Sequence, residues 1–319
     1  MASVLTEAYF HDENAAFEAL EAILWPNGPT CPHCGALDRL NRLKDQRSKP
    51  SKKHPEGIVR HGLWKCYHCR GQFTVRKGTV FEASHLKLHQ WFQAVYLLCS
   101  SKKGISSNQL ARTLGVTVKT AWFASHRIRE AMRDGKLAPI GGGGKAVEAD
   151  ETWIGQKKGF KKRRGAGHKM AVMSLVEQGG PVRSFVMDAV TRTDVERIIR
   201  QNVRPDSRLM TDTAAYYKKG KLGTDSHEMV NHYANEYVRG DVTTNHLEGF
   251  FSVFKKGMRG VYQHCDEKHL HRYLAEFDFR YNNRVAAGIN DLARTDRAIR
   301  GIVGKRLTYR DSSRSTTSE

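Results

Sequence analysis

Apolar positions along this chain change their period near its middle. As far as about residue 138 they recur at helical spacing or stand alone in polar, basic sequence; from residue 146 short apolar runs of the strand type take over. Asn14 is placed to cap a first helix whose Phe17, Leu20 and Leu24 share a face, ended by Trp25 and Pro26. WFQAVYLL supplies the inward face of a second helix, from about Lys87 to Ser100. Gly104-Ile105-Ser106 leads into a short helix with Leu110 and Leu114 inward, a turn at Gly115-Val116 follows, and a longer helix runs from about Val118 to Met132. Pro139 and the glycines at 141–144 then predict a flexible connection.

Beyond that connection the order is strand, strand, strand, helix, strand. Strands are expected at Val147 to Ile154, Lys169 to Glu177 and Val182 to Met187, the last two joined by a hairpin at 178–181. Thr193 starts a helix to about Asn202 with Val195, Ile198 and Ile199 inward, a fourth strand covers Ser207 to Thr211, and a fifth falls near His227 to Val230. Two long helices follow, about Thr243 to Met258 and Glu267 to Asn283, and the tail DSSRSTTSE is too polar to order itself. The patterns divide the chain into 1–85, an N-terminal helix with a cysteine-rich segment; 86–138, a helical region; 139–145, the glycine-rich connection; 146–300, an α/β domain; and 301–319, a basic and polar tail.

Composition turns this outline toward nucleic acid. Lys and Arg number 53 against 33 Asp and Glu, a formal charge of +20 and a pI near 9.8, which calls for a polyanionic partner. No apolar run approaches the roughly 20 residues that cross a bilayer, and the amino terminus lacks the basic-then-apolar order of a signal peptide. The expected location is therefore the cytoplasm, with the protein on the nucleoid when bound to DNA. Disulfides do not persist there, so the six cysteines need another use.

CPHCG at Cys31 and Cys34 and CYHCRGQF at Cys66 and Cys69 are two C-x-x-C knuckles with 31 residues between them. Four thiolates in two such turns close a tetrahedral site, the ligand set of one structural zinc ion in a zinc ribbon. His33, His54, His61 and His68 compete as ligands, and Cys99 and Cys265 read as small buried hydrophobes. The segment between the knuckles is polar and basic and is expected to project as a loop.

The short helix, Gly turn and second helix have the outline of a helix-turn-helix. Lys119, Thr120, Ser125, His126, Arg127 and Arg129 on its second helix are candidates to reach bases or phosphates. A second basic run, KKGFKKRRGAGHK from Lys157 to Lys169, carries Lys161, Lys162, Arg163 and Arg164 directly after the first strand of the α/β domain. Contacts there would be to the DNA backbone, independent of sequence and sensitive to salt.

The chemistry centres on AVEADETWIG, residues 146–155, where a strand pattern runs into Asp150 and Glu151 and then a glycine. Asp212 ends another strand 62 residues later, and Glu248, a further 36 residues on, lies in an apolar, aromatic helix. In-line attack on a phosphodiester builds charge on the non-bridging and leaving oxygens, and two divalent ions roughly 3.5 to 4 Å apart stabilise it. Mg²⁺ or Mn²⁺ in that role takes carboxylates, so three acids suffice: Asp150 shared, Asp212 on one ion, Glu248 on the other. Lys255, seven residues past Glu248, shares its helix face and is placed to hold a DNA phosphate. Glu151 rivals Asp150, because a one-residue slip in register exchanges them.

These residues stand in long stretches, among them WPNGPTCPHCG, ISSNQLARTLGVTVKTAW, EADETWIG, LMTDTAAYY, TTNHLEGFFSVFKKGMRGVYQHC and YLAEFDFRYNNR, through which nearly the whole chain resembles the zinc-ribbon insertion-sequence transposases of the ISXO type. The resemblance implies an α/β, ribonuclease-H-like DDE core, a mixed five-stranded sheet with flanking helices, preceded by the ribbon and the helix-turn-helix. It also implies that Asp150 and Asp212 are the first two metal ligands. The third is Glu or Asn in such proteins, and both Asn245 and Glu248 are present, three residues apart; Glu248 is favoured because a carboxylate holds Mg²⁺ better than an amide and because Lys255 falls at the spacing of the DDE pattern. The activity implied is metal-dependent cleavage at terminal inverted repeats and strand transfer into target DNA, by at least a homodimer on double-stranded DNA. The other reading is a zinc-ribbon, helix-turn-helix regulator that binds DNA without cutting it.

Overall fold

Asp12, two residues before the expected cap, starts the first helix: its carboxylate accepts the N–H of Ala15 at 2.7 Å, and α1 spans Glu13–Leu24. Asn14 lies inside the first turn and donates to Glu18 instead. The computed structural model describes residues 3–135, 137–218 and 222–309; the polar tail from residue 310 lies outside the described residues. By packing the chain separates into two compact units, one comprising the chain up to Ser100, Ser107–Met132 and the segment from Asp291, the other Ser101–Ser106 and Arg133–Asn290.

In the first unit a three-stranded antiparallel meander follows α1: β1 (Leu40–Leu43), β2 (Leu63–Cys66) and β3 (Gln72–Phe73). The basic segment between β1 and β2 folds back on itself through bridges at Arg47↔Val59 and Ser51↔His54. Thr74 to Thr79, just past β3, make a turn, with the Lys77 N–H on the Thr74 carbonyl. Three helices complete this stretch, α2 (Leu88–Ser100), α3 (Ser107–Leu114) and α4 (Val118–Met132), the last with the bounds that its apolar period predicts.

The second unit holds a five-stranded sheet formed by β4 (Ala146–Ile154), β5 (Met170–Glu177), β6 (Val182–Met187), β7 (Arg208–Asp212) and β8 (Ser226–Val230), in the order β6-β5-β4-β7-β8. The first three strands form an antiparallel meander, and β7 and β8 run parallel to β4. This is the mixed five-stranded sheet with flanking helices that the resemblance implied. Helix α5 (Arg192–Asn202) is capped by Thr191 and packs Val195, Ile198 and Ile199 on the sheet face that carries Val147, Ala149 and Leu209. A small hairpin, β9 (Val238–Arg239) with β10 (Val242–Thr243), precedes α6 (Asn245–Gly257) and α7 (Glu267–Asn282). Phe250, Phe251 and Phe254 of α6 and Leu270, Leu274 and Phe277 of α7 cover the other face, against Ile154, Val172 and Val176. Each such buried side chain contributes about 2 kcal/mol of transfer free energy.

β6 is an edge strand, and α7 seals it. Asn282 accepts the Val182 N–H and donates to the Val182 carbonyl, while Asp278 accepts the N–H and the hydroxyl of Ser184.

The four glycines expected as a flexible connection are held in place. Their φ angles are all positive, between 61° and 91°, a region closed to most side chains. The N–H of Gly141 bonds Glu177, that of Gly142 bonds the Ser207 hydroxyl, and those of Gly143 and Gly144 bond Asp206. The stretch is a pinned strap of the second unit, whose main segment starts at Arg133, upstream of the predicted boundary. The last helix, α8 (Asp291–Arg300), also departs from the expected division at residue 300: it packs on α1, α2 and α4 in the first unit. Among the described residues no helix is long and apolar enough to cross a membrane.

Candidate active site and zinc centre

The two knuckles have matching turns. Cys31 donates its N–H to the Ala36 carbonyl and Cys66 donates its N–H to the Gly71 carbonyl, both at 2.9 Å, so each loop folds its pair of sulfurs to one side. Cys31 and Cys69 lie 3.7 Å apart at sulfur, Cys34 and Cys66 likewise, and all four sulfurs fall within 4.8 Å of one another. A tetrahedron with zinc–sulfur bonds of about 2.3 Å has edges of about 3.8 Å, so the four thiols fit a zinc ion. The Cys69 N–H, and after it that of His68, draws the Cys66 thiol down to about 7 against burial, which favours the thiolate that the metal needs. Three of the four competing histidines have other side-chain partners: His33 packs on Phe73, His61 on Phe17, and His68 pairs with Asp38.

The spacing of 62 between Asp150 and Asp212 is the register of a strand pair. β4 and β7 are joined as Ala146↔Arg208, Val147↔Leu209 and Glu148↔Met210, which sets Asp150 and Asp212 opposite each other just past the end of the ladder. Alternation along β4 sends Glu148 and Asp150 to the α6 side and Glu151 to the α5 side. Glu151 is buried there and accepts hydrogen bonds from the hydroxyls of Tyr216, at 2.5 Å, and Tyr217; burial raises its carboxyl to about 7.

Asp150 is held well above the usual carboxylate range, first by burial and then by the charges of Glu151, Asp212 and Glu248; the Glu151 N–H, 2.7 Å from its Oδ1, opposes the shift. Asp150 thus lies within electrostatic reach of Asp212 and Glu248, carboxylates of the kind that hard divalent cations take, but among the described residues only the four cysteines converge closely enough to enclose an ion, and the three acids stand further apart. Asp212 accepts the Ala214 N–H at 2.9 Å. Glu248 is exposed in the first turn of α6, 3.7 Å from His232 Nε2, and Asn245, also exposed, is the first residue of the same helix. Lys255 is half-buried two turns on; burial lowers its ammonium pKa, the Arg259 charge adds to that, and Asp150 pulls it back.

The basic residues divide. Lys161, Lys162, Arg163 and Arg164 are exposed in the loop after β4, and Lys119 and Thr120 in the first turn of α4. Arg127 and Arg129, expected to face DNA, are buried, with 4 % and 2 % of their surface exposed. Arg127 donates to the Glu82 carbonyl and lies over the Trp91 and Phe123 rings, and Arg129 donates to Ser125. Beyond its first turn α4 packs too closely against its neighbours for either guanidinium to leave. Ser125 and His126 are buried too. Arg272 and Arg280 of α7 are likewise buried.

Glu148 is absent from the residues the sequence singled out, although it is wholly buried two positions before Asp150. Its position on the same strand face as Asp150 was the available signal, a charge where the period demands an apolar group.

The comparisons with known proteins give the class, an insertion-sequence transposase. Residues 141–282 match the ISXO2-like transposase domain and residues 11–72 the transposase zinc-ribbon domain. The chain belongs to the transposase family that carries both. It is 27% identical over 299 residues to an uncharacterized protein in transposable element ISH50 of Halobacterium salinarum, which covers 85% of this chain and 91% of that one. It is 28% identical over 102 residues to an uncharacterized transposase-like protein of Haemophilus influenzae, covering 32% of this chain and 81% of the relative. A chain in the crystal structure of a pre-cleavage Mos1 transpososome matches 65% of this chain and 74% of its own length, at 14% identity and a TM-score of 0.28.

Proposed function

We propose that the chain cuts and joins the DNA of its own element through Asp150, Asp212 and Glu248, acting on double-stranded terminal inverted repeats and target DNA. The observation that carries this reading is the β4–β7 register, which brings Asp150 and Asp212 to adjoining strand ends, with Glu248 near enough for its charge to add to the upward shift of Asp150. Groups from two strand ends and one helix act there on a single carboxyl. Glu248 is preferred to Asn245 as the third ligand because an amide would leave the site with one anion fewer.

When bound, two Mg²⁺ or Mn²⁺ ions supply charge stabilisation to the attacking and leaving oxygens of an in-line phosphoryl transfer. Asp150, Asp212 and Glu248 would hold them. The Ala214 N–H fixes the Asp212 carboxylate and the Glu151 N–H fixes Asp150, which limits how far either oxygen strays. Lys255 brings a cation to the Asp150 side of α6, where it steadies a DNA phosphate. Lys161, Lys162, Arg163 and Arg164 hold the backbone near the cut, while Lys119 and Thr120 enter the major groove of the repeat, as the first residues of a recognition helix do. One zinc ion holds the ribbon, and two copies of the chain pair the two element ends.

The test is incubation with Mg²⁺ and duplexes carrying the repeats that flank the element, scoring both nicking and strand transfer. Both are expected with the natural protein and neither with Asp212→Ala. Undiminished nicking by Asp212→Ala overturns the assignment.

A further inference from the structure

Asp150 stands between two buried glutamates that point to opposite faces of β4, and each glutamate grips the segment carrying one of the other acids. Glu148 is fully buried on the α6 side. It accepts the backbone N–H groups of His246 and Leu247, both at 3.1 Å, together with His246 Nδ1 at 2.6 Å and Gln178 Nε2 at 3.2 Å. The first N–H groups of a helix need acceptors. The residue before α6, Thr244, makes no side-chain cap. Glu148 does that work from another element, joining the position two before Asp150 to the turn one before Glu248.

Glu151 does the same on the other face. Its two oxygens take the hydroxyls of Tyr216 and Tyr217, in the turn that directly follows Asp212. That turn is short and closed: Ala214 donates to the Asp212 carboxylate and Tyr217 donates its N–H to the Ala214 carbonyl at 3.0 Å. The tie has a clear need. The β4–β7 ladder ends at Glu148↔Met210, so no backbone hydrogen bond of the sheet joins the strands at Asp150 and Asp212, where two like charges face each other.

We propose that Glu148 and Glu151 are positioning residues of the metal site, Glu148 setting Glu248 and Glu151 setting Asp212 relative to Asp150. Neither is a ligand: every donor around each is a protein N–H or hydroxyl. The inference rests on the reading of Asp150, Asp212 and Glu248 as the metal-binding acids. It requires an acceptor at each position rather than a charge, so glutamine keeps the function and alanine loses it.

The test is the affinity of the zinc-loaded, full-length protein for Mn²⁺ alone, by isothermal titration or electron paramagnetic resonance, with the thermal midpoint and zinc content recorded in parallel. Outer-shell partners of metal ligands are worth roughly 10- to 100-fold in affinity. Glu148→Ala and Glu151→Ala are expected to weaken Mn²⁺ by about 10-fold or more, with Glu148→Gln and Glu151→Gln within about 3-fold of the natural protein. Tyr217→Phe removes one donor of the Glu151 tie while keeping the ring, and serves where an alanine variant does not fold; an intermediate loss is expected. Folded alanine variants or Tyr217→Phe with unchanged Mn²⁺ affinity overturn the proposal, as do glutamine variants as weak as the alanines. Asp212→Ala is the control: if it too leaves Mn²⁺ binding unchanged, the metal-site reading itself falls, whereas loss in Asp212→Ala alone refutes only the positioning role.

Discussion

Asp278 accepts both the backbone N–H and the hydroxyl of Ser184, at 2.8 and 2.7 Å, from a half-buried position. The Ser184 hydroxyl is also 2.8 Å from that of Ser174, the residue paired with Asp150 across the sheet. Burial raises Asp278 to about 7, well above its value of about 3.9 in an unfolded chain. In that window the folded protein keeps a proton that the unfolded chain releases. Stability is therefore expected to fall as pH rises from about 4 to about 7 and to level off above, as far as this group controls it. Asp278→Asn imitates the protonated acid, so its melting temperature should exceed that of the natural protein at pH 8, and the gap should close near pH 4. A gap that does not change with pH contradicts this.

The ribbon is expected to hold one zinc ion per chain, measured by elemental mass spectrometry, and to lose it in Cys66→Ser. Binding energy at such a site is folding energy. Chelation should therefore expose Trp25 and Trp64, which pack edge-on at 6.1 Å beside the cysteines. The resulting change in tryptophan fluorescence should reverse on adding zinc.

Arg127 and Lys119 lie on one helix and should behave oppositely. Arg127→Ala removes a guanidinium held over the Trp91 ring and bonded to Glu82, at a cost of about 2–4 kcal/mol in stability by urea unfolding. Lys119→Ala should leave stability within about 0.5 kcal/mol. It should instead weaken binding to repeat DNA and lower the slope of log K against log salt by about 1.

The glycine strap makes a graded prediction. At Gly142 φ is +91°, and an added Cβ would lie 2.5 Å from Arg204 Cδ, whereas at Gly143 φ is +61° and the space is open. Gly143→Ala should cost about 1 kcal/mol for the left-handed backbone, and Gly142→Ala more, about 2–3 kcal/mol, read from chemical unfolding.

What the sequence discloses here is whatever repeats at short range. The bounds of α4 and β6 follow from apolar period alone, and the four cysteines declare their partners by spacing. The interval between Asp150 and Asp212 even contains the β4–β7 register, although nothing in one dimension says so. What escapes is anything decided by a distant partner. Glycines 141–144 read as flexible because Glu177, Asp206 and Ser207, which pin them, lie 36 or more residues away. Arg127 reads as a DNA contact because charge is visible and the Trp91 ring beneath it is not. Glu148 goes unremarked because the open end of α6 that it caps begins 98 residues later.

The first unit is closed by the end of the chain. Besides α8 on α1, α2 and α4, Thr79 bridges Val303 and the Val80 N–H bonds the Ile302 carbonyl at 3.1 Å. Domains emerging from a ribosome ordinarily complete themselves from the amino terminus onward. This chain reverses the order: the described residues of the acid-bearing unit, the last of them Asn290, are synthesised while the ribbon-bearing unit still waits for α8. A message truncated just before Asp291 would carry every described residue of the acid-bearing unit beside a ribbon-bearing one that lacks α8.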